Sequence, residues 1–148
     1  MNNIKWNNIP IPQGHVIPLV AGIALNWWHP LELWQAVWQT QLLGWVLLLI
    51  GILLALWATV TFKQMDFEKP AAVITTGPYA FSRNPMYVAW ALIYLAITLL
   101  VNTWWLVVLL PLALMVVHFH DVRREERLLE QEFGEAYRQY CARVRRYL

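Results

Sequence analysis

The chain has 148 residues, of which 59% are hydrophobic and only 14% are charged, and it contains ten tryptophans. This composition is too apolar for an ordinary soluble domain of this size, so we predict one membrane-embedded domain over residues 1–148. The formal net charge of +2 is small and the basic residues lie in three separate places, which argues against nucleic acid as a partner. The single cysteine, Cys141, excludes an internal disulfide and a cysteine-cluster metal site.

Two apolar stretches in the N-terminal half are candidate membrane spans. Residues 11–28 are apolar and end in two tryptophans, but His15, Pro18 and Asn26 make them a marginal span, either tilted or re-entrant. Residues 42–62 are the clearest span, because these 21 residues carry no charge. At about 1.5 Å each they cover a hydrocarbon core of about 30 Å.

A third apolar stretch is too long for one span. Residues 85–119 number 35, with His118 as the only ionisable side chain, and one helix of that length would reach about 52 Å. The stretch is therefore predicted to fold back on itself. Asn102 is the natural turn, because it is followed by Trp104 and Trp105, an aromatic pair suited to the membrane interface. Strand-like alternation is absent, so the sequence predicts an all-α integral membrane bundle of about four transmembrane helices.

The distribution of basic residues predicts how this bundle is oriented. With a cytoplasmic N-terminus, the inward-facing segments are residues 1–11, 63–84 and those after 119, and together they hold all eleven lysines and arginines. The outer loop, residues 29–41, holds none. This agreement with the positive-inside rule predicts a multi-pass membrane protein with both termini in the cytoplasm.

The segment 75–87 combines a turn with a helix start. Gly77 and the proline after it indicate a turn, Asn84 is a good N-cap, and Pro85 suits the first helical position. Free N–H groups and the positive end of the helix dipole attract a carboxylate or phosphate, and Arg83 adds a full charge beside them. The alternative interpretation is a capped helix whose arginine reaches out to lipid phosphates.

The C-terminal segment begins with two arginines and two glutamates and continues as an amphipathic cytoplasmic helix, bent at Gly134. Its apolar face is formed by residues at helical spacing, namely Val122, Leu129, Phe133, Tyr137, Tyr140, Val144 and Leu148. Glu125 and Glu126 flank that face, where an unpaired carboxylate is costly. The alternative interpretation is ordinary ion pairing on the helix surface with Arg123 or Arg127.

The predicted hairpin brings these two segments together. If the chain ascends to Asn102 and then descends, Arg83 lies beside the start of the C-terminal helix, with Glu125 and Glu126 about one turn further on. A helix N-terminus, a guanidinium and two carboxylates would then surround one interfacial cavity. Such an arrangement suits a zwitterionic ligand.

These residues, in this order, resemble the isoprenylcysteine carboxyl methyltransferase family, whose core is shared by the related phospholipid N-methyltransferases. The resemblance covers roughly residues 60–148. It rests on Gly77-Pro78-Tyr79, Arg83-Asn84-Pro85-Met86-Tyr87, the uncharged hairpin, Glu125-Glu126, Leu129, Phe133-Gly134, Tyr137, Tyr140 and Val144. Many members have histidine at the place of Asn84, and because asparagine does not titrate near neutral pH, the resemblance gives this position no acid/base role.

The resemblance implies a membrane enzyme that binds S-adenosylmethionine and methylates a lipophilic acceptor, either a lipid or a lipidated molecule, entering from the membrane lipid. No metal is required. The implied cofactor-binding residues are Tyr79, Arg83, Asn84, Pro85, Tyr87, Glu125 and Glu126. The implied catalytic residues are Glu125, Glu126 and Arg124, with Arg123 or Arg124 orienting an acidic acceptor.

Two other functions stay open at this level. A phospholipid or lipid-amine methyltransferase would differ only in its acceptor, and the N-terminal spans that would select the acceptor match the family poorly. A non-catalytic membrane protein would use the charged C-terminal helix to dock a partner and would bind no cofactor.

Overall fold

The computed structural model describes residues 13–35, 37–63 and 73–148, and every regular element in them is helical. The elements are α1 (Gln13–Trp28), α2 (Val37–Lys63), a 3-10 turn (Gly77–Ala80), α3 (Pro85–Val101), α4 (Trp104–Val116), a π-helical segment (Val117–Val122), α5 (Arg123–Phe133) and α6 (Glu135–Arg143). Glu32 and Thr103 form an isolated β-bridge, and the described ranges contain no strand. The all-α prediction is confirmed.

Helix α2 contains the whole of the predicted span 42–62 and carries apolar side chains around most of its circumference. It packs mainly against α3, and two glycines allow the close approach. A Cβ at Gly51 would lie 2.8 Å from Cγ1 of Ile93, and one at Gly44 would lie 2.8 Å from Cγ of Leu100. Most of the large apolar side chains of α2 are exposed, as expected of a helix that faces lipid.

The turn at Asn102 is confirmed. Asn102 has φ 56° and ψ 51°, a left-handed conformation that asparagine tolerates better than most residues, and it ends α3. Thr103 then caps α4, because its side chain accepts a hydrogen bond from the N–H of Trp105. The two legs of the hairpin make few contacts with each other, since α3 packs on α2 and α4 packs on α1.

The predicted count of four transmembrane helices is wrong by the criterion of length and apolarity. Only two helices in the described ranges are long and apolar enough to cross a membrane: Trp38–Lys63, and Trp104–Phe133, which runs through the π-helical segment into α5. Helices α1 and α3 have 16 and 17 residues, or about 24 and 26 Å, against a hydrocarbon core of about 30 Å. Pro18 lies inside the shorter one, as the marginal sequence of residues 11–28 predicted.

The predicted C-terminal helix is two helices separated at Gly134. This glycine has φ +51° and ψ −120°, a conformation disfavoured for residues with a side chain, so it ends α5 and starts α6 in a new direction. Tyr137 and Tyr140, on the predicted apolar face, are buried by this turn, whereas Leu148 is exposed.

The molecule has two ends of different chemistry. We call the "basic end" the one where α2 stops, α3 starts, and the π-helical segment, α5 and α6 lie. All basic residues of the described ranges are there: Lys63, Arg83, Arg123, Arg124, Arg127, Arg138, Arg143, Arg145 and Arg146. The "tryptophan end" holds the turn at Asn102 and the tip of α1, with Trp27, Trp28, Trp34, Trp104 and Trp105. Lys5 and Lys69, which the orientation prediction also used, lie outside the described residues.

Candidate active site

At the basic end, the loop before α3 is fastened to the last residues of the chain. The N–H of Arg83 donates to the carbonyl of Arg145 at 2.9 Å, and the Tyr140 hydroxyl donates to the carbonyl of Tyr79 at 2.7 Å. Burial raises the pKa of Tyr140 to about 12, so this hydroxyl stays protonated and keeps its role as donor. These bonds hold the segment around Arg83 and Pro85 against the C-terminal segment. The predicted hairpin implied this proximity.

An ion cluster centred on Glu126 joins the two segments. Nη1 of Arg83 lies 3.3 Å from Oε1 of Glu126, and the side chains of this pair are only 14% and 13% exposed. Arg146 binds the same carboxylate with two donors, Nε to Oε1 at 3.0 Å and Nη2 to Oε2 at 2.8 Å. Two guanidiniums on one carboxylate leave an excess of positive charge, which suits an anionic ligand.

Arg83 is only partly satisfied by these partners. Its Nη1 also donates to Sγ of Cys141 at 2.6 Å. Its Nε is buried and, among the residues that the structure describes, has no hydrogen-bond partner. A buried donor without a partner is unusual in a folded protein and marks a place where a ligand can accept.

Glu125 faces a different neighbour. Its Oε1 accepts a hydrogen bond of 2.8 Å from the Tyr87 hydroxyl, near the start of α3. Burial, and secondarily the charge of Glu125, raises the pKa of nearby Tyr79 to about 12. The predicted set of Arg83, Tyr87 and the two glutamates is therefore brought together, with each glutamate holding a separate partner.

The predicted helix start at Pro85 is confirmed, but the N-capping role of the Asn84 side chain is wrong. Asn84 occupies the N-cap position without any side-chain capping bond. Its backbone carbonyl accepts from the N–H groups of Tyr87 and Val88, as in any helix start. Its side-chain Nδ2 instead donates to the carbonyl of Arg146 at 3.1 Å, because the C-terminal segment lies close enough to compete for the amide.

The ion cluster opens into a cavity of about 870 Å³, which we call the arginine cavity. It is lined by Arg83, Phe119, Arg123, Glu126, Arg127, Glu130, Tyr137, Arg138, Cys141, Ala142 and Arg146. Five arginines against two glutamates make it strongly basic. Arg124, predicted as catalytic, is exposed and is not part of this lining, whereas its neighbour Arg123 is.

A second cavity of about 430 Å³, the apolar cavity, lies deeper among the helices. It is lined by His15, Tyr87, Val88, Ala91, Leu114, Met115, Val117, His118, Phe119 and Tyr147. Phe119 lines both cavities, so the basic and the apolar spaces are neighbours that share this residue in their walls. The remaining predicted site residues, Tyr79, Asn84, Pro85 and Glu125, line neither cavity. Asn84 and Glu125 are hydrogen-bonded to residues that do, Arg146 and Tyr87.

Several residues that line these cavities were not predicted from the sequence. Arg146 binds Glu126 across 20 positions of sequence, and no local pattern indicates such a pair. His118 shares a 2.8 Å hydrogen bond with the Tyr147 hydroxyl in the apolar cavity. His15 served only as evidence of a marginal span, although a histidine inside an apolar stretch is itself a signal of function.

About two thirds of the chain, including part of the candidate site, matches a known protein family. A family model described as phospholipid methyltransferase matches residues 39–136, which is 98 of the 148 residues. The matched range contains Arg83, Tyr87 and both glutamates but excludes His15 and Arg146. Comparisons with curated proteins and with solved structures give no significant match.

Proposed function

Because the chain belongs to the phospholipid methyltransferase family, we propose that it transfers a methyl group from S-adenosylmethionine to a lipid at the cytoplasmic face of a membrane. The membership supports a membrane methyltransferase acting on lipids. The cofactor, the acceptor and the side of the membrane are the parts that we add.

The observation that carries the proposal is the contact between two cavities of opposite character at Phe119. A charged, water-soluble methyl donor and a lipid acceptor have to meet although each prefers a different solvent. A basic cavity on the polar side and an apolar cavity among the helices, sharing one wall, provide that meeting place. Alignment and exclusion of water at such a junction are effective means of accelerating a displacement reaction.

The residues of the arginine cavity fit the cofactor. Its volume of about 870 Å³ lies within the range of about 300–1,000 Å³ that is typical of small-molecule sites. The unpartnered Nε of Arg83 would hold the cofactor's carboxylate, and Glu126 and Glu130 would hold its amino or ribose hydroxyl groups. Glu125, which the sequence analysis also placed among the cofactor-binding residues, accepts a hydrogen bond from the Tyr87 hydroxyl.

When bound, the cofactor supplies a methyl group activated by its attachment to a sulfonium. The protein's own contribution is positional. Arg146 and Arg83 fix the Glu126 carboxylate from two sides, so little reorganisation is needed when a ligand binds. Phe119 and Tyr137 line the cavity with aromatic surface, against which a bound ligand would exclude water from the reacting groups. Tyr87, held by Glu125, forms part of the wall on the acceptor's side.

The placement of charge supports a cytoplasmic basic end. All nine basic residues of the described ranges are there, and the tryptophan end has aromatic side chains suited to the opposite interface. Arg123 lies with its guanidinium 4.7 Å from the centre of the Phe119 ring. This places a cation at the junction of the cavities, where it would bind the phosphate of a lipid headgroup or the carboxylate of a prenylated cysteine.

The same methyl-transfer assay tests both acceptor classes, one in each of two parallel incubations. The purified protein in lipid nanodiscs would be incubated with S-adenosylmethionine carrying a tritiated methyl group, and then either with phosphatidylethanolamine or with N-acetyl-S-farnesylcysteine. We expect label in the extracted lipid. Base treatment releases a methyl ester as volatile methanol and leaves an N-methyl group in place, so it identifies the bond formed. A protein that binds no S-adenosylhomocysteine and labels neither lipid would be a non-catalytic membrane protein, and the proposal would fail.

A further inference from the structure

Residues 144–148, which follow α6, form a non-helical segment that we call the strap. Helix α6 ends at Arg143, and Val144 has φ −116° and ψ 131°, so the chain is extended there. The match to the phospholipid methyltransferase family model ends at residue 136, before the strap begins. Family membership therefore implies no role for these residues.

The backbone of the strap is bonded to the loop before α3. The carbonyl of Arg145 accepts from the N–H of Arg83 at 2.9 Å. The carbonyl of Arg146 accepts from Nδ2 of Asn84 at 3.1 Å and from Oγ of Ser82 at 3.4 Å. The strap is thus fastened to the same loop that places Arg83 in the arginine cavity.

Two consecutive side chains of the strap line different cavities. Arg146 lines the arginine cavity and binds Glu126 with two donors, whereas Tyr147 lines the apolar cavity. The Tyr147 hydroxyl shares a hydrogen bond of 2.8 Å with Nδ1 of His118, and the residue packs against the buried cluster that includes Tyr87. Because the Cα atoms of neighbouring residues are only about 3.8 Å apart, a displacement of the backbone at one of these positions moves the other.

The strap has the properties of a segment that opens locally. Arg145 and Leu148 are exposed, the other three residues are half-buried, and none of the five is fully buried. Hydrogen bonds, the ion pair of Arg146 and the packing of one aromatic ring hold the strap in place. Segments held in this way open at a lower free energy than the whole fold. A ligand that binds better to the seated strap, the form seen in the structure, opposes its release.

We propose that the strap couples the two cavities, so that a ligand in either one strengthens binding in the other, with Tyr147 as a positioning residue. This inference rests on the proposed function, which places the methyl donor in one cavity and the acceptor in the other. An anionic group of the donor interacts with Arg146 only while the strap is seated. An acceptor in the apolar cavity likewise contacts Tyr147 only then. Both ligands therefore favour the seated strap, and the coupling is positive and reciprocal.

The position of the strap suits this role. His118, the partner of Tyr147, lies edge-on to the Phe119 ring with the ring centroids 4.8 Å apart, and Phe119 lines both cavities. The bond between Tyr147 and His118 therefore fixes the wall beside the place where donor and acceptor are proposed to meet. A misplacement of about 1 Å at such a place can cost about a hundredfold in rate.

Tyr147→Phe tests the coupling, because it keeps the ring and removes the bond to His118, and Tyr147 is absent from the described lining of the arginine cavity. Calorimetric titration of the detergent-solubilised protein with S-adenosylhomocysteine should show binding weakened by up to about fivefold, the effect of losing one hydrogen bond. Tyr147→Ala, which also removes the ring, should weaken binding further, by about tenfold. The matched control Arg145→Ala removes an exposed side chain of the strap and keeps its backbone bond to Arg83, so its affinity should equal that of the wild type.

A second titration separates coupling from a merely structural role. It is made in saturating lipid, either short-chain phosphatidylethanolamine or N-acetyl-S-farnesylcysteine, whichever the methyl-transfer assay labels. Because the lipid favours the seated strap, Tyr147→Phe should then bind S-adenosylhomocysteine within about twofold of the wild type. A strap that only stabilised the fold would leave the same defect with and without lipid. An undiminished defect in saturating lipid, or wild-type affinity of both Tyr147 variants without lipid, would overturn the inference.

The inference and the proposed function fail separately. Methyl transfer, together with wild-type S-adenosylhomocysteine affinity in both Tyr147 variants, would leave a methyltransferase and refute the coupling. A protein that binds no S-adenosylhomocysteine would refute the proposed function, and titration with short-chain phosphatidylethanolamine alone would then test the strap. Arg146 is absent from the described lining of the apolar cavity, so weaker lipid binding by Arg146→Ala would keep a strap that joins the cavities, and unchanged binding would refute it.

Discussion

The two ends of the bundle both bury polar groups, but they treat them differently. At the tryptophan end, both polar side-chain atoms of Asn102 are hydrogen-bonded. Its Oδ1 accepts from the backbone N–H of Trp34 at 3.2 Å, and its Nδ2 donates to the backbone carbonyl of Trp34 at 2.9 Å. The indole of Trp105 donates to the carbonyl of His29 at 2.7 Å. These bonds complete a structural connection between the hairpin and the loop that follows α1.

At the basic end, buried polar atoms are left without partners on Arg83, His15 and Asp121, among the residues that the structure describes. Each such atom costs about 1–3 kcal/mol unless something binds it. The comparison teaches that buried polarity alone does not indicate function in this protein. Satisfied polar groups join helices and loops in the described residues, and we propose that the unsatisfied ones lie where ligands bind.

The largest expected effect is an all-or-none difference in labelling, which reports the side of the membrane on which each end lies. Single cysteines introduced at Gln35 and Gln139, both exposed, would be labelled in intact cells with a membrane-impermeant maleimide in a Cys141→Ser background. We expect Gln35→Cys to react and Gln139→Cys to react only after lysis, because basic segments stay in the cytoplasm. Equal labelling of both positions before lysis would contradict the orientation.

The next largest effect is expected for the ion cluster. Arg83→Ala and Glu126→Gln should each weaken binding of S-adenosylhomocysteine by roughly tenfold to a hundredfold, because losing one charged hydrogen-bond partner costs about 1.5–3 kcal/mol. Calorimetric titration of the folded variants measures this. Arg143→Ala and Glu132→Gln, which remove exposed charges nearby, serve as controls. Wild-type affinity in both cluster variants would remove the cofactor site from this cavity.

At the tryptophan end, the expected effect is on stability alone. Asn102→Ala should lower the free energy of unfolding by about 2–3 kcal/mol, because alanine is strained in the left-handed conformation and both bonds to Trp34 are lost. Asn102→Gly removes the strain and should recover about half of that loss. Denaturant unfolding in detergent gives both values. A change in S-adenosylhomocysteine affinity in either variant, measured while it is folded, would show that the two ends are coupled.

The smallest effect is expected at Asn84. Because its side chain bonds to the carbonyl of Arg146 and not to the helix start, Asn84→Ser and Asn84→Ala should weaken cofactor affinity equally, by about fivefold for a loss of about 1 kcal/mol. Asn84→Asp should be worse, since a carboxylate faces a carbonyl oxygen. Wild-type affinity in the serine variant, with a defect only in alanine, would restore the capping explanation.

Much of the fold could be predicted because local chemistry determines it. The uncharged run in α2, the left-handed turn at Asn102, the helix start at Pro85 and the break at Gly134 each follow from the residues at that point. The number of spanning helices was predicted less accurately than these local features. Apolar composition alone does not show where a helix ends, and α1 and α3 end after 16 and 17 residues.

The candidate site could be predicted only in part. Arg83 and the two glutamates could be predicted, because the hairpin brings their segments together. Arg146 and His15 were not, because each reaches the site through packing between distant parts of the chain: the C-terminal segment folds back on α3, and α1 packs on α4. Pairings of this kind depend on surface complementarity between whole helices, which no local pattern records.

The most direct test of the central claim is equilibrium binding of radiolabelled S-adenosylmethionine to the purified protein in nanodiscs. We predict saturable binding of one molecule per chain, displaced by S-adenosylhomocysteine and lost in the Arg83→Ala, Glu126→Gln double variant, while the Asn102→Gly protein binds as the wild type does. Absence of saturable binding to the wild type, or equal binding to the double variant, would contradict the assignment of the unsatisfied basic end as the ligand site.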